Sequence, residues 1–159
     1  MDELLQILKR DARTALKDMA VMTGTTEAEV QARIAEYEAS GVIRGYQALI
    51  NEELVKPDHV RAVIEVRMSP ERGGGYDRVA TRIAKFPEVE SVFLMSGGFD
   101  LLVYVKGDCL RTVAAFVNER LATIDGVLST ATHFTLKTYK DQGVLMKEED
   151  SDERLAVSP

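Results

Sequence analysis

The sequence predicts an α+β fold in two modules, helices first and then strands alternating with helices. Three observations predict it: the apolar spacing is helical from residue 2 to about 40, it alternates between a period of two and a period of 3.6 from residue 61 onward, and glycines stand at the change-overs.

In the first module Leu4, Leu5, Ile7 and Leu8 mark one short amphipathic helix, and Leu16, Met19, Ala20 and Met22 a second. Val30, Ile34 and Tyr37, spaced by four and three, mark a third. Gly24, in TGTTEAE, can take a left-handed turn, and Thr26 with Glu29 forms a capping box that starts the third helix. The pair is a helix, a tight turn and a helix. After Gly41 the stretch VIRGYQALI predicts a short β extension.

In the second module RAVIEVRM places Ala62, Ile64, Val66 and Met68 on one face of a strand and Val63, Glu65 and Arg67 on the other. Pro70 and Gly73 to Gly75 break it, and Tyr76, Val79, Ala80, Ile83 and Ala84 predict a helix ending at Phe86 and Pro87. VESVFLMS and FDLLVYVK predict two strands joined at Gly97 and Gly98. A helix over about 110 to 124 follows, with Leu110, Val113, Ala114, Val117, Leu121 and Ile124 apolar, stopped by Gly126 before a last strand, VLSTATHFTLKTY. The order βαββαβ is the split βαβ, or ferredoxin-like, sandwich, with both helices on one sheet face. The other face is expected to carry Val63, Val92, Leu94 and alternate members of FTLKTY among Glu65, Arg67 and Lys137, apolar enough to pack on a second copy.

Composition narrows the function classes. A net charge of −6 argues against a chain that holds nucleic acid merely by being basic. Three of those negative charges fall in KEEDSDERLAVSP, residues 147–159, which carries five acids and two bases and predicts a frayed tail. No window is apolar enough for a membrane span and MDELLQILKRD is not signal-like, so a cytoplasmic protein is expected. Cys109, the single cysteine, excludes an internal disulfide and a cysteine metal cluster, and sits at a predicted helix start.

A helix-turn-helix ending in EYEASGVIRGYQALIN, then a βαββαβ module holding SGGFDLLVYV and closing on GVLSTATHFTL, resembles the Lrp/AsnC family of bacterial and archaeal feast/famine transcriptional regulators over nearly all of residues 2–140. The resemblance implies a winged helix-turn-helix that binds double-stranded DNA in residues 1–45, a linking strand in 46–60 and an effector-binding and oligomerisation module in 61–140. Residues 141–159 are left as an acidic tail. It further implies a homodimer that often assembles into octamers, a small effector, often an amino acid, bound between modules, no other cofactor, no metal and no catalysis.

For DNA, the start of the third helix offers Thr25, Thr26, Glu27, Ala28 and Gln31. Arg33 matches a family arginine, though an ion pair with Glu29 or Glu36 is its structural alternative, and Arg44 lies in the exit from the helix. Where the family usually carries hydroxyl or basic residues, this chain has Glu29, Ala32, Ala35 and Glu36. Residues 1–45 hold six bases and eight acids, yet a basic edge survives in Lys9, Arg10, Arg13 and Lys17. For the effector, the resemblance implies a pocket lined by Ser96, Gly97, Gly98, Phe99 and Asp100, faced by Thr130 and Thr132. Glycines there let main-chain N–H groups approach a carboxylate, and Asp100 or a main-chain carbonyl could accept from an α-ammonium group; the structural alternative is an ordinary hairpin turn at Gly97 and Gly98 with Asp100 facing solvent.

Two other functions share the architecture. A ligand-sensing oligomer without DNA contact fits the acidic third helix. A siroheme-decarboxylase-like enzyme would need a histidine and arginine cluster, and the two histidines, His59 and His133, stand far apart in sequence.

Overall fold

The computed structural model describes residues 2–55, 59–69 and 75–146. The chain divides into two compact units, Met1–Ala48 and Leu49–Pro159. Among the described residues, no helix is long and apolar enough to cross a membrane.

The first unit holds α1 (Glu3–Arg10), α2 (Leu16–Thr23) and α3 (Glu27–Ala39). Helix α1 starts where Asp2 accepts a hydrogen bond from the Leu4 N–H at 2.8 Å, and it ends with Lys9 and Arg10 at the negative end of the helix dipole. Helix α2 stops at Gly24, whose φ of 66° is the left-handed conformation expected from the sequence. The predicted capping box starts α3: the Glu29 N–H donates to Thr26 Oγ1 (3.3 Å), and the Thr26 N–H donates to Glu29 Oε2 (2.9 Å). Leu4, Ile7, Leu8, Met19, Ala20 and Val30 form the buried core, with Leu16, Ile34, Tyr37 and Ile43 packed around it. The expected β extension after Gly41 is absent: residues 43–50 lie in no strand, because no described strand of this chain pairs with them.

Two helix-capping carboxylates of this unit, Glu29 and Asp2, have lowered pKa values. The Thr26 N–H and then its hydroxyl hold the Glu29 carboxyl below its ordinary range. Partial burial pushes the Asp2 carboxyl up, but the Leu4 N–H, the Tyr37 hydroxyl and the Arg33 guanidinium together pull it below its ordinary value. A lowered folded-state pKa contributes stability above the unfolded value of about 4, and that contribution disappears as pH falls through the folded value. Separately, Thr26→Ala removes the N-cap oxygen of α3 and is expected to cost about 0.5–2 kcal/mol at neutral pH. The gap from wild type should narrow below about pH 4, measured by denaturant unfolding followed by circular dichroism at both pH values.

The second unit opens with α4 (Glu52–Val55), a turn of helix inside the stretch expected to be a linking strand. The βαββαβ order follows as β1 (Val60–Met68), α5 (Gly75–Ile83), β2 (Val89–Leu94), β3 (Leu101–Gly107), α6 (Leu110–Phe116) and β4 (Val127–Phe134). The sheet is antiparallel in the order β2-β3-β1-β4. The predicted helix over 110–124 is α-helical only to Phe116 and continues as a π-helical turn, Val117–Leu121, closed by the Ala122 N–H on the Val117 carbonyl at 2.8 Å. Of its expected apolar positions Val113, Val117, Leu121 and Ile124 are buried, whereas Leu110 and Ala114 are exposed and Phe116 turns inward with the others; the buried residues pack with Val79 and Ile83 of α5 over Ala62, Ile64, Val66, Leu101, Val103 and Val105. Gly107 admits α6 closely, since a Cβ there would lie 2.9 Å from the Val113 side chain.

The register corrects the expected open face. Val92 pairs with Val103 and Leu94 with Leu101, so both point to the side that carries the helices; Val92 packs on the core there, while Leu94, at the end of β2, stays 65% exposed. Phe93, opposite Leu102, takes their place on the open face, its ring 6.0 Å from and edge-on to Tyr104. Val63, Glu65 and Arg67 stand on that face as expected, with Ala131 opposite Glu65 and His133 opposite Val63. His133 Nε2 lies 3.4 Å from Glu65. Phe134 registers with Ala62 on the covered side, and β4 ends there, so the rest of FTLKTY leaves the sheet.

The segment expected to begin an acidic tail instead folds back. Lys140–Asp141 (β5) and Val144–Leu145 (β6) pair as a hairpin whose turn residues, Gln142 and Gly143, both have positive φ (44° and 92°), the twist a two-residue hairpin requires. Asn51 Nδ2 donates to the Met146 carbonyl at 2.7 Å, and Arg61 pairs with Asp141 (3.5 Å) and Glu90 (3.0 Å), pinning the hairpin beside the start of β1. Residues 147–159, where the acidic tail was placed, lie outside the described residues.

Candidate functional sites

The helix pair presents two surfaces. Lys9, Arg10, Arg13 and Lys17, from the end of α1 to the start of α2, are all exposed. None of them has an ion-pair partner among the described residues. This is the basic edge read from the sequence.

On α3 the sequence candidates separate. Thr25 shares a hydroxyl hydrogen bond with Thr23 at 2.9 Å, and Thr26 is occupied by the capping box, its hydroxyl donating to Glu29 Oε2 at 3.0 Å. Arg33 is engaged within the unit though its side chain stays partly exposed: its guanidinium pairs with Asp2 and lies 3.4 Å from the Tyr37 hydroxyl, which together raise its pKa, the Tyr37 hydrogen bond contributing most. The partner is thus Asp2 at the start of α1, not Glu29 or Glu36, and Arg33 ties α3 to α1. Gln31 and Arg44 are exposed, as are Glu27 and Ala28.

The second site is the connection from β2 to β3. Ser96, Gly97 and Gly98 are exposed and Phe99 and Asp100 half-buried. Gly97 has φ 140°, a conformation that favours glycine, and a Cβ at Gly97 or Gly98 would meet open space. The Met95 N–H donates to the Asp100 carbonyl at 2.8 Å, and the Asp100 N–H donates to the Val66 carbonyl at 2.9 Å. Asp100 Oδ2 accepts from the Met68 N–H at 2.7 Å, just where the β1–β4 register shifts between Arg67 and Met68. The carboxylate therefore fastens the connection to a bulge in β1 whose N–H has left the regular ladder.

Thr130 and Thr132 do not meet this connection within one chain. Thr130 is opposite Val66 on β4, while Asp100 bonds Val66 from the β3 side, so β1 stands between them. Two interstrand spacings of about 4.8 Å separate them. Both threonines share the half-buried, helix-side face of β4. A cavity of about 480 Å³ lies at the other end of β1, lined by Asn51, Glu52, His59, Arg61, Thr138 and Asp141 among others. His59 Nδ1 is buried without a hydrogen-bond partner among the described residues. The sequence carried no sign of this cavity, nor of the Asp2–Arg33 and Asp100–Met68 bonds, which join segments 31 and 32 residues apart.

Comparison with known proteins decides what this pairing of modules belongs to. Residues 3–38 match the AsnC-type helix-turn-helix domain and residues 61–145 the Lrp/AsnC ligand binding domain. The chain belongs to the Lrp/AsnC family. A relative from Bacillus subtilis, the HTH-type transcriptional regulator YugG, is 44% identical over 99% of this chain and 95% of its own length. Among solved structures, the leucine response regulatory protein LrpA of Mycobacterium tuberculosis superposes with a TM-score of 0.75 at 25% identity, covering 92% of this chain and all of that one. A Neisseria meningitidis transcriptional regulator in complex with L-Met gives 0.69 at 25% identity, covering 89% and 93%. The chain is therefore an Lrp/AsnC-type transcriptional regulator with a helix-turn-helix and a ligand-binding domain. The relatives it matches are regulators rather than enzymes, which removes the decarboxylase alternative.

Proposed function

We propose that this regulator binds double-stranded DNA in the cytoplasm as a homodimer or a higher assembly of dimers, and that a small effector, an amino acid, adjusts that binding at the Ser96–Asp100 connection. The observation that carries the DNA reading is the exposed, unpaired edge of Lys9, Arg10, Arg13 and Lys17 on a helix-turn-helix unit. In an acidic protein, those four side chains supply local attraction for phosphates, and repetition of the edge in an oligomer adds avidity without tight monomer binding. The open sheet face, with Val63, Phe93, Leu102 and Tyr104 bearing apolar surface, supports pairing with a second copy.

The effector reading rests on a different set of observations. The exposed Gly97 and Gly98 leave open space at the connection, and the Neisseria relative was solved with L-Met. Because Asp100 and Thr130 are separated by β1 in one chain, a site using Thr130 and Thr132 as well would be completed by another chain.

The test is affinity for the protein's own promoter DNA as a function of salt. Replacing Lys9, Arg10, Arg13 and Lys17 by glutamine should flatten the slope of log K against log salt by about 0.9 for each phosphate left without its cation. An unchanged slope and affinity would remove the proposal. The second reading, an effector-binding oligomer that does not touch DNA, is favoured by Glu27, Glu29, Glu36 and Glu38 on α3. It predicts amino-acid-dependent changes of assembly with no protected DNA at any salt.

A further inference from the structure

We infer that Glu27 and Gln31 are the base-reading pair of α3, and that the preferred half-site carries a cytosine and an adenine one to two base pairs apart. The inference rests on the DNA reading above and names how that interface would discriminate sequence.

It follows by accounting for every polar side chain in the first two turns of α3 and its approach. The hydroxyls of Thr25 and Thr26 are bonded within the turn, to Thr23 and Glu29. The Glu29 carboxylate is held by the Thr26 N–H, and the Arg33 guanidinium by Asp2 and Tyr37. Val30 is buried, and Ala28 and Ala32 offer only methyl groups. Glu27 and Gln31 remain, both exposed and without a hydrogen-bond partner among the described residues. Four residues apart, they stand one above the other on a single helix face. This is the N-terminal half of the second helix of the pair, the part that a helix-turn-helix inserts into the major groove.

Their chemistry sets the preference. A carboxylate entering the groove is repelled by the phosphates on both sides and finds compensation at an exposed amino group, and Glu pairs with the cytosine N4 amino group. An amide offers one donor and one acceptor in fixed register, matching the N7 and N6 of adenine. The two Cα atoms are separated by about 6 Å along the helix axis at 1.5 Å per residue, against about 3.4 Å per base pair. That places the bases they read one or two steps apart. Attraction and discrimination are thereby divided: Lys9, Arg10, Arg13 and Lys17 hold phosphates, while the α3 face that carries Glu27 and Gln31 reads edges.

The experiment is in vitro selection from randomised duplexes, with the full chain and with Glu27→Ala, Glu27→Gln and Gln31→Ala, at one fixed salt concentration. Both positions are exposed, and a thermal melt confirms that each variant folds. Wild type should select cytosine and adenine at the stated spacing. Glu27→Ala should lose the cytosine and bind unrelated DNA more tightly, whereas Glu27→Gln should exchange the cytosine for adenine. Gln31→Ala should lose the adenine, with discrimination falling roughly 5- to 150-fold at that base. Variants that bind DNA and select the wild-type motif would overturn this inference and leave the DNA reading standing. A wild-type chain that binds no duplex at any salt would overturn both.

Discussion

Leu4→Ala is expected to unfold the helix-turn-helix unit while the ferredoxin-like unit stays folded. Leu4 is fully buried in a core that has six buried residues among those described, and truncating a buried leucine costs about 2–5 kcal/mol through lost transfer energy and the cavity left behind. A unit of 48 residues buries too small a share of its surface to absorb such a loss. The C-terminal core is built from other residues, Ile64, Val66, Leu101, Val103, Leu121 and their neighbours, and contains no part of α1. Hydrogen exchange should therefore show rapid exchange across Glu3–Arg10, Leu16–Thr23 and Glu27–Ala39, with protection retained in β1 and β3. Equal loss of protection in both units would contradict the division into two cores. The proposed effector binding should survive in this variant even as the proposed DNA binding is lost.

The second large effect is expected at Asp100, where two roles can be separated by choice of substitution. Asp100→Ala leaves the half-buried Met68 N–H without its acceptor, at a cost of about 1–3 kcal/mol. Asp100→Asn keeps a carbonyl oxygen in the same place and should retain most of that stability while losing the charge. If Asp100 also accepts from the ammonium group of an amino-acid effector, calorimetric titration across the common amino acids should show heat in wild type that is abolished in both variants. Heats retained by Asp100→Asn would assign Asp100 to fastening the bulge alone.

The sequence made the fold legible wherever the pattern was local. Helical spacing, the Thr26 and Glu29 box and Gly24 placed α1 to α3, and the alternation in RAVIEVRM gave the buried face of β1 correctly. What it missed depended on pairing. Val92 and Leu94 were assigned to the open face because alternation within one strand cannot say which of its two sides faces the helices; only register with Val103 and Leu101 does. The fold-back of 140–146 escaped notice because its anchors, Asn51 and Arg61, are some eighty or more residues away.

The site residues show the same limit. Gly97, Gly98 and Asp100 were visible as an unusual insertion in an apolar run, and the structure places them together in the β2–β3 connection. That Asp100 spends one oxygen on Met68, and that Arg33 is tied to Asp2, are pairings between distant segments which no spacing rule reaches. Sequence alone presents Arg33 as available for phosphate, because its partner Asp2 lies at the start of another helix.

Cys109 stands exposed at the N-cap of α6, and a hydrogen bond from the Thr112 side chain, helped by main-chain N–H groups, lowers its thiol pKa. As the sole sulfhydryl in the sequence, it accepts one maleimide or nitroxide per polypeptide under mild conditions. Spin–spin distances between labelled copies would then test the proposed pairing of chains without any engineered mutation.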